Sequence, residues 1–130
     1  MLLGIKTDAP IVEFYLCDMQ GNVVGNTTWE ANRDLAHLLL RRLAEFVEQH
    51  ETTLGDIEGL FVFRGPGSYT GLRIGITVMN TLAYANSALL VGTEGDDWLQ
   101  TAIARLIAGD NDRVVVPLYG GEARITQPKK

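Results

Sequence analysis

Residues 61–85, FVFRGPGSYTGLRIGITVMNTLAYA, decide how the rest of the chain is read. A short apolar strand, Leu60 to Phe63, turns through a glycine-rich elbow, Gly65 to Gly71, and a helix follows as soon as the elbow ends. Gly65 and Gly67 flank a proline of fixed φ, and Gly71 lets strand and helix approach closely. An elbow of this kind points backbone N–H groups into one concavity at a helix N-terminus, which makes it either an anion site or a tight strand-to-helix connection. In the helix, Leu72, Ile74, Gly75, Ile76, Val78, Met79, Leu82 and Ala83 fill an arc of roughly 200°, where a one-sided helix needs about 100°. The pattern predicts two apolar faces: one for the chain's own sheet, the other for a second helix that Gly71 and Gly75 would allow close.

The segment RGPGSYTGLRIG carries a resemblance. Arg64, Gly65, Pro66, Gly67, Ser68, Tyr69, Thr70, Gly71 and Arg73 are similar to the signature of the bacterial TsaB family, also called YeaZ and labelled glycoprotease-like, whose usual form has phenylalanine where this chain has Tyr69. The order of elements over residues 1–109 resembles that family's first lobe. The resemblance implies an α/β actin-like fold, in the sugar-kinase-like and ribonuclease H-like class, here as a single lobe. It also implies a non-catalytic paralogue of the TsaD subunit, pairing with TsaD to make threonylcarbamoyladenosine in tRNA, with a TsaE-like ATPase in the assembly and no cofactor of its own. Residues 110–130 then read as the hairpin that begins a second lobe. The Asp-Ala-Arg usual at that turn is replaced by Pro117, Leu118 and Tyr119, and little chain follows, as expected of a one-lobe form or a truncated product.

Composition bounds the rest. A chain of 130 residues, 46% hydrophobic and 21% charged, is one globular domain able to bury about two thirds of its unfolded surface without a metal or disulfide. No apolar run is long enough to span a bilayer, and MLLGIK lacks the basic start and apolar core of a signal peptide. Together with a lone Cys17, read as a small strand side chain, this gives a cytoplasmic expectation. A net charge of −5 with scattered basic residues argues against direct nucleic-acid binding.

In chain order, residues 2–6, 11–17 and 23–29 are β-prone runs, the last two joined by hairpin chemistry at Asp18, Gln20, Gly21 and Asn22. A three-strand meander therefore opens a mixed sheet. From Asn32, a candidate N-cap, Leu35, Leu38, Leu39, Leu43, Phe46 and Val47 follow helical spacing to about residue 49, and Ala36, Leu40 and Ala44 widen the apolar arc. After the elbow helix come a buried-type strand at residues 88–91 and a helix at 96–108, stopped by Gly109. Residues 114–118 and 122–126 read as the last hairpin.

The candidate sites are weighed on the same terms. The elbow has no Gly-Lys-Ser/Thr, its glycine spacing departs from the dinucleotide pattern, and Pro66 removes a donor, although Glu94 stands where a ribose-binding acid would. Catalytic relatives of the fold end the first strand in an aspartate that manages metal and phosphate; here Lys6 occupies that place, and a cation cannot hold Mg²⁺. Asp8 lies on the same side of the strand but about 7 Å further along. His37 and His50 have no ligand spacing and read as solvated helix residues. Ser68 and Thr70 fit no nucleophile elbow and are expected to cap the helix. Arg73, a cation in the first turn, calls for a carboxylate: Glu58 or Glu94 in this chain, or one on a partner.

The resulting expectation is a non-catalytic dimerisation subunit. Its two broad-faced helices would share a helix bundle with a TsaD-like partner through Ala36, Leu40, Ala44, Val47, Leu72, Gly75, Ile76, Met79 and Ala83. The alternatives are a nucleotide-binding or hydrolytic enzyme of the same fold and a self-assembling homodimer.

Overall fold

The computed structural model describes residues 1–118. Its first thirty residues form the meander expected of the three β-prone runs: β1 (Leu2–Lys6), β2 (Ile11–Cys17) and β3 (Val23–Glu30), each antiparallel to the next. The β2–β3 turn is held by Asp18, whose Oδ1 accepts the N–H groups of Gln20 (3.0 Å) and Asn22 (2.9 Å). Then follow α1 (Leu35–Glu48), β4 (Gly59–Phe63), α2 (Tyr69–Asn86), β5 (Leu89–Thr93) and α3 (Trp98–Ile107). The strands form one mixed sheet in the order β3-β2-β1-β4-β5, with β4 parallel to both β1 and β5. Parallel neighbours need crossover connections, which α2 supplies between β4 and β5.

Adjacent residues of β2 show which helix covers which face. Phe14 packs on Phe46 of α1, and Tyr15 packs on Trp98 of α3. Successive strand side chains point to opposite faces, so α1 and α3 lie on opposite sides, with α2 beside α1. Leu39, Leu43, Phe46 and Val47 of α1 and Leu72, Ile76, Met79 and Ala83 of α2 are buried in one continuous core with the sheet.

Three local expectations change. The helix after the elbow begins at Tyr69, not Leu72; Ser68 is its N-cap residue by position, but its side chain makes no capping bond. Asn32 does not cap α1, because residues 32–34 form a 3-10 turn that enters the helix, with Asn32 in the left-handed region at φ 51°. Residues 114–118 are not a strand, because side chains take up their polar groups. Asn80 Oδ1 accepts the Val115 N–H (2.9 Å) while Asn80 Nδ2 donates to the Val115 carbonyl (3.0 Å), and Arg64 Nε donates to the Val116 carbonyl (3.0 Å). The second half of the expected hairpin, Glu122 to Thr126 with its turn at Tyr119, Gly120 and Gly121, lies outside the described residues.

Candidate functional site

The glycines of the elbow mark places where the backbone lies against the end of β1. A methyl group on Gly71 would overlap the Thr7 carbonyl oxygen, one on Gly75 the Thr7 hydroxyl, and one on Gly67 the Asp8 side chain. Thr7, 1% exposed, donates from Oγ1 to the Gly71 carbonyl at 2.8 Å, and the Ser68 N–H donates to the Asp8 carbonyl at 3.1 Å. The chain's own residues 7 and 8 therefore occupy the hollow of the elbow, which makes it a tight strand-to-helix connection. This also corrects the expectation that Gly71 and Gly75 admit a second helix: the space they leave is filled by Thr7.

Arg64 and Arg73 of the signature face different ways. Arg64 reaches the segment that follows α3: besides bonding Val116, it pairs with Glu94 at 3.4 Å, and its carbonyl accepts the Leu118 N–H at 2.7 Å. Arg105 continues the clasp, donating to Asp110 (2.7 Å from Nε) and to Asp112. Burial alone would raise the Asp112 carboxyl, but the bonds from Arg105 and from the Gly92 N–H outweigh it and hold it below the usual aspartate range. Arg73 meets neither acid expected of it within the chain. Glu94 is with Arg64 and Glu58 with the Met1 ammonium, while Arg73 lies over the Tyr69 ring, 5.4 Å from its centroid.

The surface available to a partner is narrower than the sequence pattern suggested. Val47, Leu72, Gly75, Ile76, Met79 and Ala83 are buried against the sheet, because the broad arc of α2 is divided between the sheet and α1. Ala36 and Leu40 remain exposed, Leu40 at 51%, and Ala44 is half-buried. Ala36 lines a groove of about 440 Å³ with Tyr69, Thr70, Arg73, Ile74, Thr77 and Val78 of α2, and Leu40 and Ala44 follow one and two turns further along α1. Ile74 and Val78 were the missed members of this face. The signal was available: Leu72, Ile76, Met79 and Ala83 already form a complete sheet-facing stripe, so the i, i+4 pair Ile74 and Val78 had to face elsewhere.

At the carboxyl end of β1, the Lys6 ammonium sits 2.7 Å from Asp8 Oδ1 and 4.5 Å from the centre of the Phe63 ring. Lys6, Asp8, Glu13, Phe63, Asp96 and Trp98 share a hollow there, and Glu13 accepts the Tyr15 hydroxyl. Burial, aided by Glu13, pushes the Tyr15 phenol up to about 12. Among the described residues no group of three or more His, Cys, Asp and Glu is placed to hold a metal ion. His37 is exposed on α1, whereas His50 is not simply solvated: it packs on Phe46 and against Gly25, with Nδ1 3.0 Å from the Phe46 carbonyl. Cys17 is fully buried, and burial pushes its thiol up to about 11. No helix among these residues is long and apolar enough to cross a membrane.

A five-stranded mixed sheet in this order, with α1 and α2 on one face and α3 on the other, is a single lobe of the actin-like, ribonuclease H-like class. The chain belongs to the TsaD family, described as tRNA N6-adenosine threonylcarbamoyltransferase, which it matches over residues 23–109, and within that family it is TsaB-like. YeaZ from Pseudomonas aeruginosa is 25% identical, with a TM-score of 0.64 over 72% of this chain and 43% of that one. A structure described as an uncharacterized protein with similarity to peptidase YeaZ, from Pseudomonas aeruginosa, gives 25% identity and a TM-score of 0.65 over 72% and 42%. The chain thus spans less than half the length of these YeaZ structures. Thermus thermophilus RuvC, solved with a Holliday junction substrate, shares the fold alone, at 7% identity and a TM-score of 0.52 over 88% of this chain and 82% of that one. No curated protein matches.

Proposed function

We propose that this chain is a non-catalytic docking lobe of the machinery that installs threonylcarbamoyladenosine in tRNA, and that it binds a TsaD-like catalytic subunit through α1 and α2. The observation that carries this reading is the helix face itself. In a family member, Ala36, Ile74 and Val78 line an apolar groove and Leu40 is exposed one turn along α1 from Ala36, with Arg73 among the lining residues and no acid of this chain paired with it among the described residues. Burying a leucine or isoleucine contributes about 1.5 to 3 kcal/mol, so a few such side chains centred on a groove support a stable interface after the association cost is deducted. A carboxylate on the partner would meet Arg73 at the rim. The absence of catalysis is supported by Lys6: its ammonium pairs with Asp8 at the place where relatives with catalytic activity carry a metal-managing aspartate.

The test is binding of the purified chain to the TsaD-like subunit of its own host, measured by calorimetry for the wild type and for Leu40→Glu. Loss of binding in a variant with an unchanged circular dichroism spectrum is the expected result. Equal binding by the two proteins, or none by either, would overturn the assignment. Tight magnesium-dependent ATP binding by the isolated chain would instead favour a nucleotide-binding enzyme of the same fold.

A further inference from the structure

The helices α1 and α2 lie side by side and run in the same direction. Their starts meet at a hollow of about 210 Å³, lined from one side by Asn32, Arg33 and Leu35 and from the other by Ser68, Thr70 and Ile74. Their ends meet at the turn Leu54–Asp56, which touches both helices and whose Leu54 carbonyl accepts a bond from Asn86 Nδ2 at 2.6 Å. Charge is sorted by sign along this pair. Towards the starts stand Arg33, His37 and Arg41 at the exposed side of α1 and Arg73 on α2, with Asp34 the one acid among them; Arg42 is turned to the Trp29 indole instead. Towards the ends stand Glu45, Glu48, Glu51 and Asp56, all exposed, and residues 43–63 contain no lysine or arginine.

Neither helix gains stability from this layout. The dipole of a helix favours carboxylates at its start and cations at its end. Yet α1 has no acid in its first turn and carries Glu45 and Glu48 in its last, while Arg73 stands near the start of α2. Arg41 and Glu45, one turn apart, do not pair, and among the described residues no acid pairs with Arg33, Arg41 or Arg73. These charges serve neither helix nor core, but they border the apolar face: His37 and Arg41 stand about 100° round α1 from Ala36 and Leu40.

We infer that the polarity of this face fixes the direction in which the TsaD-like partner docks, with the partner's acidic groups over the starts of α1 and α2 and its basic groups over their ends. The inference rests on the docking role proposed above and adds to it the chemistry and orientation of the occupant. Docking in the opposite direction sets like charges together at both poles, so the layout rejects that arrangement as well as favouring the other. Because the charges are exposed, they act chiefly on encounter: complementary fields speed association and are screened by salt, whereas the apolar contacts govern dissociation.

The experiment measures association and dissociation rates with the host's TsaD-like subunit by surface plasmon resonance, at about 0.05 M and about 0.5 M salt. Wild type is compared with Arg41→Glu, Glu48→Arg and the double variant. Each single reversal should slow association at least about tenfold at the lower salt, and the double variant should be slower than either. Dissociation should change little, and the differences should shrink at the higher salt. Glu48→Arg exchanges a carboxylate in the last turn of α1 for a cation, so its Tm should be no lower than that of the wild type. Weaker binding by an equally stable variant separates a partner contact from a folding defect. Reversed variants that associate like the wild type at low salt, while Leu40→Glu still abolishes binding, would overturn the orientation and leave the docking role standing. A wild type that does not bind would remove both. Sedimentation adds a third outcome: self-association lost in each single variant and recovered in the double one would assign the face to a second copy and overturn the inference, because only a self-pair reverses both poles together.

Discussion

Gly71→Ala is the substitution in which two effects of opposite sign meet. Gly71 is the third residue of α2, and alanine in a helix is favoured over glycine by up to about 1 kcal/mol, so propensity alone predicts stabilisation. The structure predicts the reverse. The added methyl would overlap the Thr7 carbonyl oxygen, a backbone atom fixed at the end of β1, and Thr7 is anchored in turn by its bond to the Gly71 carbonyl. Relieving the overlap means moving the start of α2 away from the sheet. Overpacking of this kind costs about 1 to 3 kcal/mol, and loss of the Thr7 bond adds about 1 kcal/mol. With the propensity gain deducted, the net destabilisation is about 1 to 3 kcal/mol, which lowers Tm by roughly 4 to 12 °C for a chain of this length. Thermal and urea unfolding followed by circular dichroism measure it. Gly55→Ala, where an added methyl meets only Thr53 Oγ1 at 4.0 Å, is the control and should move Tm little. A Gly71→Ala protein as stable as the wild type, or more so, would show that the elbow is not held against β1 as described.

The two apolar residues once grouped as interface should separate. Ile76→Glu buries an unpaired carboxylate and should unfold the domain, a loss above about 3 kcal/mol, whereas Leu40→Glu should leave stability within about 0.5 kcal/mol; denaturant titrations distinguish them. Asp112 has a carboxyl held below its ordinary value, so its contribution is present above the unfolded-state pKa of about 3.9 and is lost as pH falls through the lower folded-state value. Asp112→Asn should therefore be less stable than wild type at pH 7, with the difference narrowing in titrations below about pH 4. The Cys17 thiol, buried and raised to about 11, should react with a thiol reagent at pH 8 only as fast as the protein unfolds; rapid labelling of the native chain would contradict its placement.

Over residues 1–109 the sequence by itself determined the elements and their order, whereas the strand expected at 114–118 is replaced by side-chain bonds to its backbone. Three β-prone runs and the hairpin residues at 18–22 pointed to the meander, helical spacing after Asn32 to α1, and the glycine-rich elbow between strand and helix to both the β4–α2 connection and the family resemblance. These are local signals: hydrophobic period and backbone freedom are properties of a few consecutive residues. The packing direction of each apolar side chain is not. Helical spacing sets Leu72, Ile76, Met79 and Ala83 on a different stripe from Ile74 and Val78, but only the approach of the sheet to the first stripe and of α1 beside the second decides which is core and which is groove. Likewise a glycine records that something lies close without naming it, and tertiary structure assigned that place to Thr7. The clasp of Arg64, Asn80 and Arg105 on the segment after α3 joins residues 30 or more apart in several of its bonds, so no local pattern contained it.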